Sequence, residues 1–420
     1  MDLVTDVAVA AQPTEPTEGE AAGRWRALGQ LALAMVLAMT TWFSAAAVLP
    51  QLRDDWQLSS TQASLLTIAV QIGFVVGAVA SATLNLADLV SPRRLVLVGA
   101  AGAAASNLLL IWADGAGLAL PLRFLTGAFL AAVYPPSLKA MSTWFRGGRG
   151  TALGVMVGAL TLGSALPHLV NGFGGIRWQL VIVISSVLTL LGGLVAEYWA
   201  SDGPFAFPKA TFNPRQIGRT FTNRGIRLAN IGYFGHMWEL YAMWTWIAVF
   251  YGDQLSDRGV GNASRLAALA AFGAIGVGAV GCYVGGVLGD RWGRTRFTAL
   301  AMLLSGTGAI AVGLARHTHP VVILVIALIW GFWVIADSAQ FSTMVTELAD
   351  QSYVGTAVTL QLAVGFTLTV LTIWLVPVLR DSLTWTWAFA FLAPGPAMGT
   401  LAMLRLMRSP EAAQIAGGRG

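Results

Sequence analysis

Charge is what this 420-residue chain has least of: 11% of its residues are Asp, Glu, Lys or Arg, where a soluble globular domain carries roughly 25%. That deficit excludes a fully solvated surface. Cysteine is scarcer still. Cys282 stands alone, so neither an intrachain disulfide nor a cysteine metal cluster can form. The sequence also lacks G-x-x-x-x-G-K-[ST], G-x-S-x-G and H-E-x-x-H, and with them a phosphate-cradling loop, a nucleophile elbow and a helical zinc site. No enzyme, resident metal or cofactor is therefore expected.

What the chain has is apolar length. Hydrophobic residues make up 56% of it, and its mean hydropathy is +0.68. Runs of about 20 apolar residues, each able to cross ~30 Å of hydrocarbon as a helix, recur from Leu28 to Leu406. They predict an all-α membrane protein with twelve transmembrane helices, centred near Met39, Ile72, Ala103, Phe129, Leu162, Leu188, Glu239, Ile275, Leu304, Trp333, Phe366 and Pro396.

A net charge of +5 raises the question of a nucleic-acid partner, but the placement of the basic residues answers it. If the N-terminus is inside, 18 of the 25 Lys and Arg fall in cytoplasmic segments, six fall outside, and Arg123 lies within a helix. That is the positive-inside pattern, so the lipid bilayer is the partner, no nucleic acid is expected, and both termini are expected in the cytoplasm. The acidic, Pro- and Thr-containing start of the chain lacks a basic region ahead of an apolar core and reads as a disordered tail rather than a signal peptide.

An internal repeat sets the domain plan. Asp88 in "NLADLVSPRRL" and Asp290 in "VLGDRWGRTRF" are offset by 202, Gly127 and Gly331 by 204, and the two "GTA" runs at Gly150 and Gly355 by 205. Two six-helix halves follow. The plan is a tail over 1–26, a bundle over 27–199, a basic linker over 200–227, a second bundle over 228–407 and a tail over 408–420.

"GGVLGDRWGRTR" resembles the G-x-L-x-D-R-x-G-R-R loop signature of the major facilitator superfamily and stands where that family places it in the second half. The first-half copy keeps Asp88, Arg93 and Arg94, but Leu84 replaces a glycine and Ser91-Pro92 interrupts its end. "RFLTGAF" is similar to the family's fourth-helix R-x-x-x-G, with Arg123 and Gly127 in register. The resemblance implies the family's twelve-helix fold in two pseudo-symmetric halves and a secondary transporter that alternates access for a small solute. It also implies a latch between the halves on the cytoplasmic side, formed by Asp88, Arg93, Arg94, Gly286, Asp290, Arg291, Gly293 and Arg294. In residue terms, Gly286 permits close helix approach, Gly293 makes a turn, and Asp290 can sit against the positive end of a neighbouring helix. A plain topogenic loop is the alternative.

Ionisable groups inside the membrane are costly, on the order of 3 kcal/mol each, and are functional candidates by default. Arg123 can bind an anionic substrate, or hydrogen-bond helix ends. In "GYFGHMWELYAMWTW", His236 and Glu239 share a helix face, and a buried Glu239 suits the carriage of a transported proton. A static His236–Glu239 contact is the alternative. "IADSAQFST" adds Asp337 and Gln340. In the family the first, fourth, seventh and tenth helices line a cavity, which implies that Arg123, Glu239 and Asp337 face it. His168 reads as a packing histidine. Pro135 and Pro136 remove two backbone donors and predict a bend or break in the fourth helix, a hinge or a static kink.

The residues modestly favour symport of a small anion with H⁺ by a monomer in the cytoplasmic membrane. "WFRGGRGTALGVMVG" is similar to nitrate/nitrite and cyanate-type porters, yet the second and eighth helices lack an interior arginine, which argues against nitrate. An exporter exchanging a drug or metabolite for H⁺ stays open, as does a transport-dead sensor or scaffold.

Overall fold

The computed structural model describes residues 21–174, 176–205, 214–350 and 353–420. Most of the expected N-terminal tail, and 206–213 of the linker, lie outside the described residues. Those that are described form helices and connections, with no strand among them.

Ten spans are long and apolar enough to cross a membrane. They are α2 (Ser60–Thr83), α3 (Pro92–Trp112), α4 (Ala116–Ser142), α5 (Arg149–Gly172), α6 (Trp178–Tyr198), α8 (Ala263–Trp292), α9 (Arg294–His317), α10 (Pro320–Leu348), α11 (Val354–Ser382) and α12 (Trp385–Met407). Two more complete the twelve apolar segments, each missing that measure for a physical reason. The first, α1, is broken into Arg24–Ala38, Ser44–Ala47 and Leu49–Trp56. The other, α7, is one unbroken helix over Arg224–Ser256, but its tryptophans, tyrosines, His236 and Glu239 dilute its hydropathy. Both belong to the same hydrophobic core as the rest.

The repeat is visible in the packing. Gly127 of α4 lies against the Val70 carbonyl of α2, and Gly331 of α10 against the Ala274 carbonyl of α8; a methyl at either would overlap that carbonyl. Gly77 against Ala128 and Gly281 against Phe332 form a second equivalent pair. All four partnerships map onto one another at an offset of 204, so each half is built on the same close helix crossing. The halves meet along two seams, α2 on α11 and α5 on α8.

Breaks in the helices recur at related positions. In α4 the chain leaves the helix after Leu130 and resumes at Tyr134, with Pro135 and Pro136 in the first turn of the new helix. There the missing donors cost nothing, because first-turn amides have no intrahelical acceptor. In α10 the interruption falls at Asp337, 204 residues after Val133.

Candidate functional site

Arg123 occupies the break in α1. Its Nη1 donates to the Thr41 carbonyl at 2.9 Å and to Asn107 Oδ1 at 3.0 Å, its Nη2 to the Trp42 carbonyl, and its Nε to the Leu66 carbonyl at 3.4 Å. Interrupting a helix leaves carbonyls without intrahelical donors, and a buried carbonyl left unpaired is costly. The guanidinium supplies those donors. Ser44 Oγ, donating to Asn107 Oδ1 at 2.7 Å, ties α1 to α3 as well. Every one of these partners belongs to the first half, and Arg123 is 1% exposed.

The acidic groups gather in the second half. Glu239, also 1% exposed, accepts from Ser305 Oγ of α9 at 2.6 Å and from Trp330 Nε1 of α10 at 2.7 Å. Both donors are neutral, and no basic side chain pairs with this carboxyl among the described residues. His236, three residues away, turns to α10 instead: its Nδ1 lies 2.9 Å from Asp337 Oδ1. That oxygen and His236 Nε2 lack a well-aligned hydrogen bond among the described residues. The pair therefore sits at the break in α10 with polar capacity to spare.

Between the halves lies an aromatic cluster. Trp42 and Phe43 of α1 stack on Tyr241 of α7, with ring centroids 5.8 and 6.0 Å apart. Phe74 of α2 meets Phe366 of α11 at 4.5 Å, and Phe43 meets Trp244 edge-on at 5.6 Å. The indole nitrogens of Trp42 and Trp244 and both amide atoms of Gln71 are buried without hydrogen-bond partners among the described residues.

Gln340 is not part of this centre. Its Nε2 donates to the Gly285 carbonyl at 3.0 Å, and its Oε1 accepts from Arg294 Nη1 at 2.9 Å. That places it at the end of the bundle where the Lys- and Arg-rich loops lie, called here the basic end. There Asp290 Oδ2 accepts from the Thr151 amide at 2.9 Å and the Thr151 hydroxyl at 3.1 Å, across the α5–α8 seam. Thr151 is in the first turn of α5, where amides lack intrahelical acceptors and the helix dipole favours an anion. Arg294 bridges Asp290 at 3.1 Å to Glu347 at 2.9 Å. Gly286 lies against the Gly150 carbonyl, where a methyl would not fit, and Gly293 adopts φ +112° at the turn. Arg291 is exposed on the surface.

The first-half copy is built differently. Arg93 forks onto Asp202 with two 3.1 Å bonds and donates to the Glu197 and Ala200 carbonyls, while Arg94 lies 3.8 Å from Glu197. Asp88 belongs to a short helix, Leu86–Leu89, and its side chain lies outside the described residues. Ser305, Trp330, Thr151 and Glu347 escape the sequence reading.

The Major Facilitator Superfamily model matches residues 31–369. The chain belongs to that superfamily. Among relatives in it, the hexuronate transporter of Escherichia coli strain K12 is 24% identical over 94% of this chain and 96% of its own length. The multidrug efflux pump LfrA of Mycolicibacterium smegmatis is 31% identical, over 47% of this chain and 40% of its own. A bacterial homologue of the human lysosomal transporter Spinster, solved inward-facing and unoccupied, shares the fold with a TM-score of 0.68 at 17% identity, covering 93% of this chain and all of that one. As a facilitator, the chain is an all-α, multi-pass membrane protein of two pseudo-symmetric halves.

Proposed function

We propose that this facilitator is a proton-coupled carrier of a small organic anion, working by alternating access in the cytoplasmic membrane with its basic end in the cytoplasm. The observation that carries the reading is Glu239, a buried carboxyl bound by Ser305 and Trp330 alone. A carboxylate without a cation in a low-dielectric core is neutralised most simply by a proton, so Glu239 takes up and releases the transported proton as the halves rock. The His236–Asp337 pair lies one turn away at the break in α10 and links that proton to the substrate. The unpartnered N–H groups of Trp42, Trp244 and Gln71 are donors suited to a carboxylate or hydroxyl-bearing solute. Arg123 acts on substrate through α1, which it holds at its break. Pro135 and Pro136 stand just beyond the fourth-helix break, which serves as a hinge.

The anion assignment is supported by the hexuronate transporter, which matches over 96% of its length. A second reading, an exporter of aromatic cations, is favoured by the higher identity of LfrA over its shorter match and by the aromatic cluster. Thermal unfolding in detergent separates the two, since a ligand at about 100 times its Kd adds about 2.7 kcal/mol of stability. Hexuronates should stabilise the protein and aromatic cations should not; the opposite result selects the exporter. In proteoliposomes, Glu239→Gln should abolish accumulation driven by a pH gradient while leaving solute exchange. Unchanged dependence on the gradient removes Glu239 from the coupling role.

A further inference from the structure

The segment after α12 does not trail away from the bundle. Pro410–Gln414 forms a turn of 3-10 helix, and Ile415 is fully buried. The Ala416 amide donates to Glu347 Oε2 at 3.1 Å, on the carboxylate that Arg294 grips from its other side with bonds of 2.9–3.2 Å. Arg419 Nη1 donates to the backbone carbonyl of Asp290 at 3.0 Å. The Arg419 carbonyl fills the space beside Gly293 where a side chain would otherwise stand, and Glu411 lies beside Gly225 at the start of α7. One short segment thus touches the beginning of α7, the α8–α9 turn and the end of α10. All these contacts are within the second half.

Two of those contacts bear on the pair that closes the basic end. Arg294 is positioned by Glu347, and Asp290 by its own backbone; Asp290 is the residue that reaches across to Thr151. We propose that residues 409–419 form a strap that holds Asp290 and Arg294 in place to close the α5–α8 seam, so that its release loosens the basic-end gate. Ile415 provides the apolar anchor and Arg419 the polar one. In this reading the strap is a control point outside the transport path, one that a partner or a modification at the basic end can reach without entering the membrane.

The Thr151 amide reports on the gate directly. As a first-turn donor it has Asp290 as its acceptor, so its hydrogen exchange follows the opening of the seam. The full-length protein in detergent is compared with Ile415→Asp, Arg419→Ala and a chain ending at Arg408. Exchange at Thr151 should be about fivefold faster in each, the scale of one lost hydrogen bond, with the interior of α5 unchanged. If the shortened chain does not elute as a folded protein, the two point variants carry the test. Parental exchange at Thr151 in folded Ile415→Asp and Arg419→Ala overturns the strap. The readout needs no substrate and no proton gradient, so it stands or falls independently of the proposed transport reaction.

Discussion

The two copies of one loop, residues 84–94 and 286–296, have come to do different things. In the second half, Asp290 reaches over the seam to the first turn of α5, and Arg294 braces it from behind. In the first half, Arg93 binds Asp202 and two carbonyls at the end of α6, joining helices of one half. The glycines explain the divergence. Gly285, Gly286 and Gly289 let α8 approach its neighbours so closely that methyl groups would overlap the Ala336 carbonyl, the Gly150 carbonyl and the Gln340 side chain. The first-half copy has Thr83 and Leu84 where the second has Gly285 and Gly286. A charged motif becomes a clasp between halves only when the backbone carrying it comes close enough.

Substitutions that test this comparison span a range of effects. The largest is expected where the halves are still alike. Gly127→Ala and Gly331→Ala each force a methyl against a backbone carbonyl, and overpacking of this kind costs about 1–3 kcal/mol. The two should lower the thermal unfolding midpoint equally. A tolerant Gly127 beside an intolerant Gly331 would mean that the shared crossing is no longer equivalent. Asp290→Asn comes next. It removes the charge from a half-buried, charge-assisted contact, and should raise labelling of reporter cysteines along the basic end of α5 and α8 about tenfold in a Cys282→Ala background. Arg93→Ala is the smallest. Its bonds to Asp202 are partly exposed, with side chains 26% and 48% accessible, so it should cost under about 1 kcal/mol and leave that labelling at the parental level. Labelling as strong as in Asp290→Asn would show that both copies serve the gate.

The site divides between what spacing reveals and what it hides. Glu239, His236, Asp337 and Arg123 stand out in the sequence because ionisable residues in apolar runs are conspicuous. Their partners do not. Three-residue spacing suggests that His236 meets Glu239, because helical geometry is the one distance a sequence encodes; across helices, His236 meets Asp337, and Glu239 meets Ser305 and Trp330. Ser305 and Trp330 are ordinary residues for a membrane helix, and nothing in the sequence marks them. Arg123 is likewise conspicuous, but the break in α1 that occupies its donors follows no glycine or proline signal. Residues 39–43 read as continuous helix.

The sequence by itself determined the solvent, the number of apolar segments, the division into halves and the segregation of Lys and Arg into alternate connections, because each of these is a one-dimensional pattern of length, composition and offset. The tertiary structure alone decided which buried charge meets which neutral donor, which loop copy crosses the seam, and that the segment after α12 packs against the start of α7, the α8–α9 turn and the end of α10. Those outcomes depend on how closely helix backbones approach, and that is set by glycines and neighbouring carbonyls from distant parts of the chain.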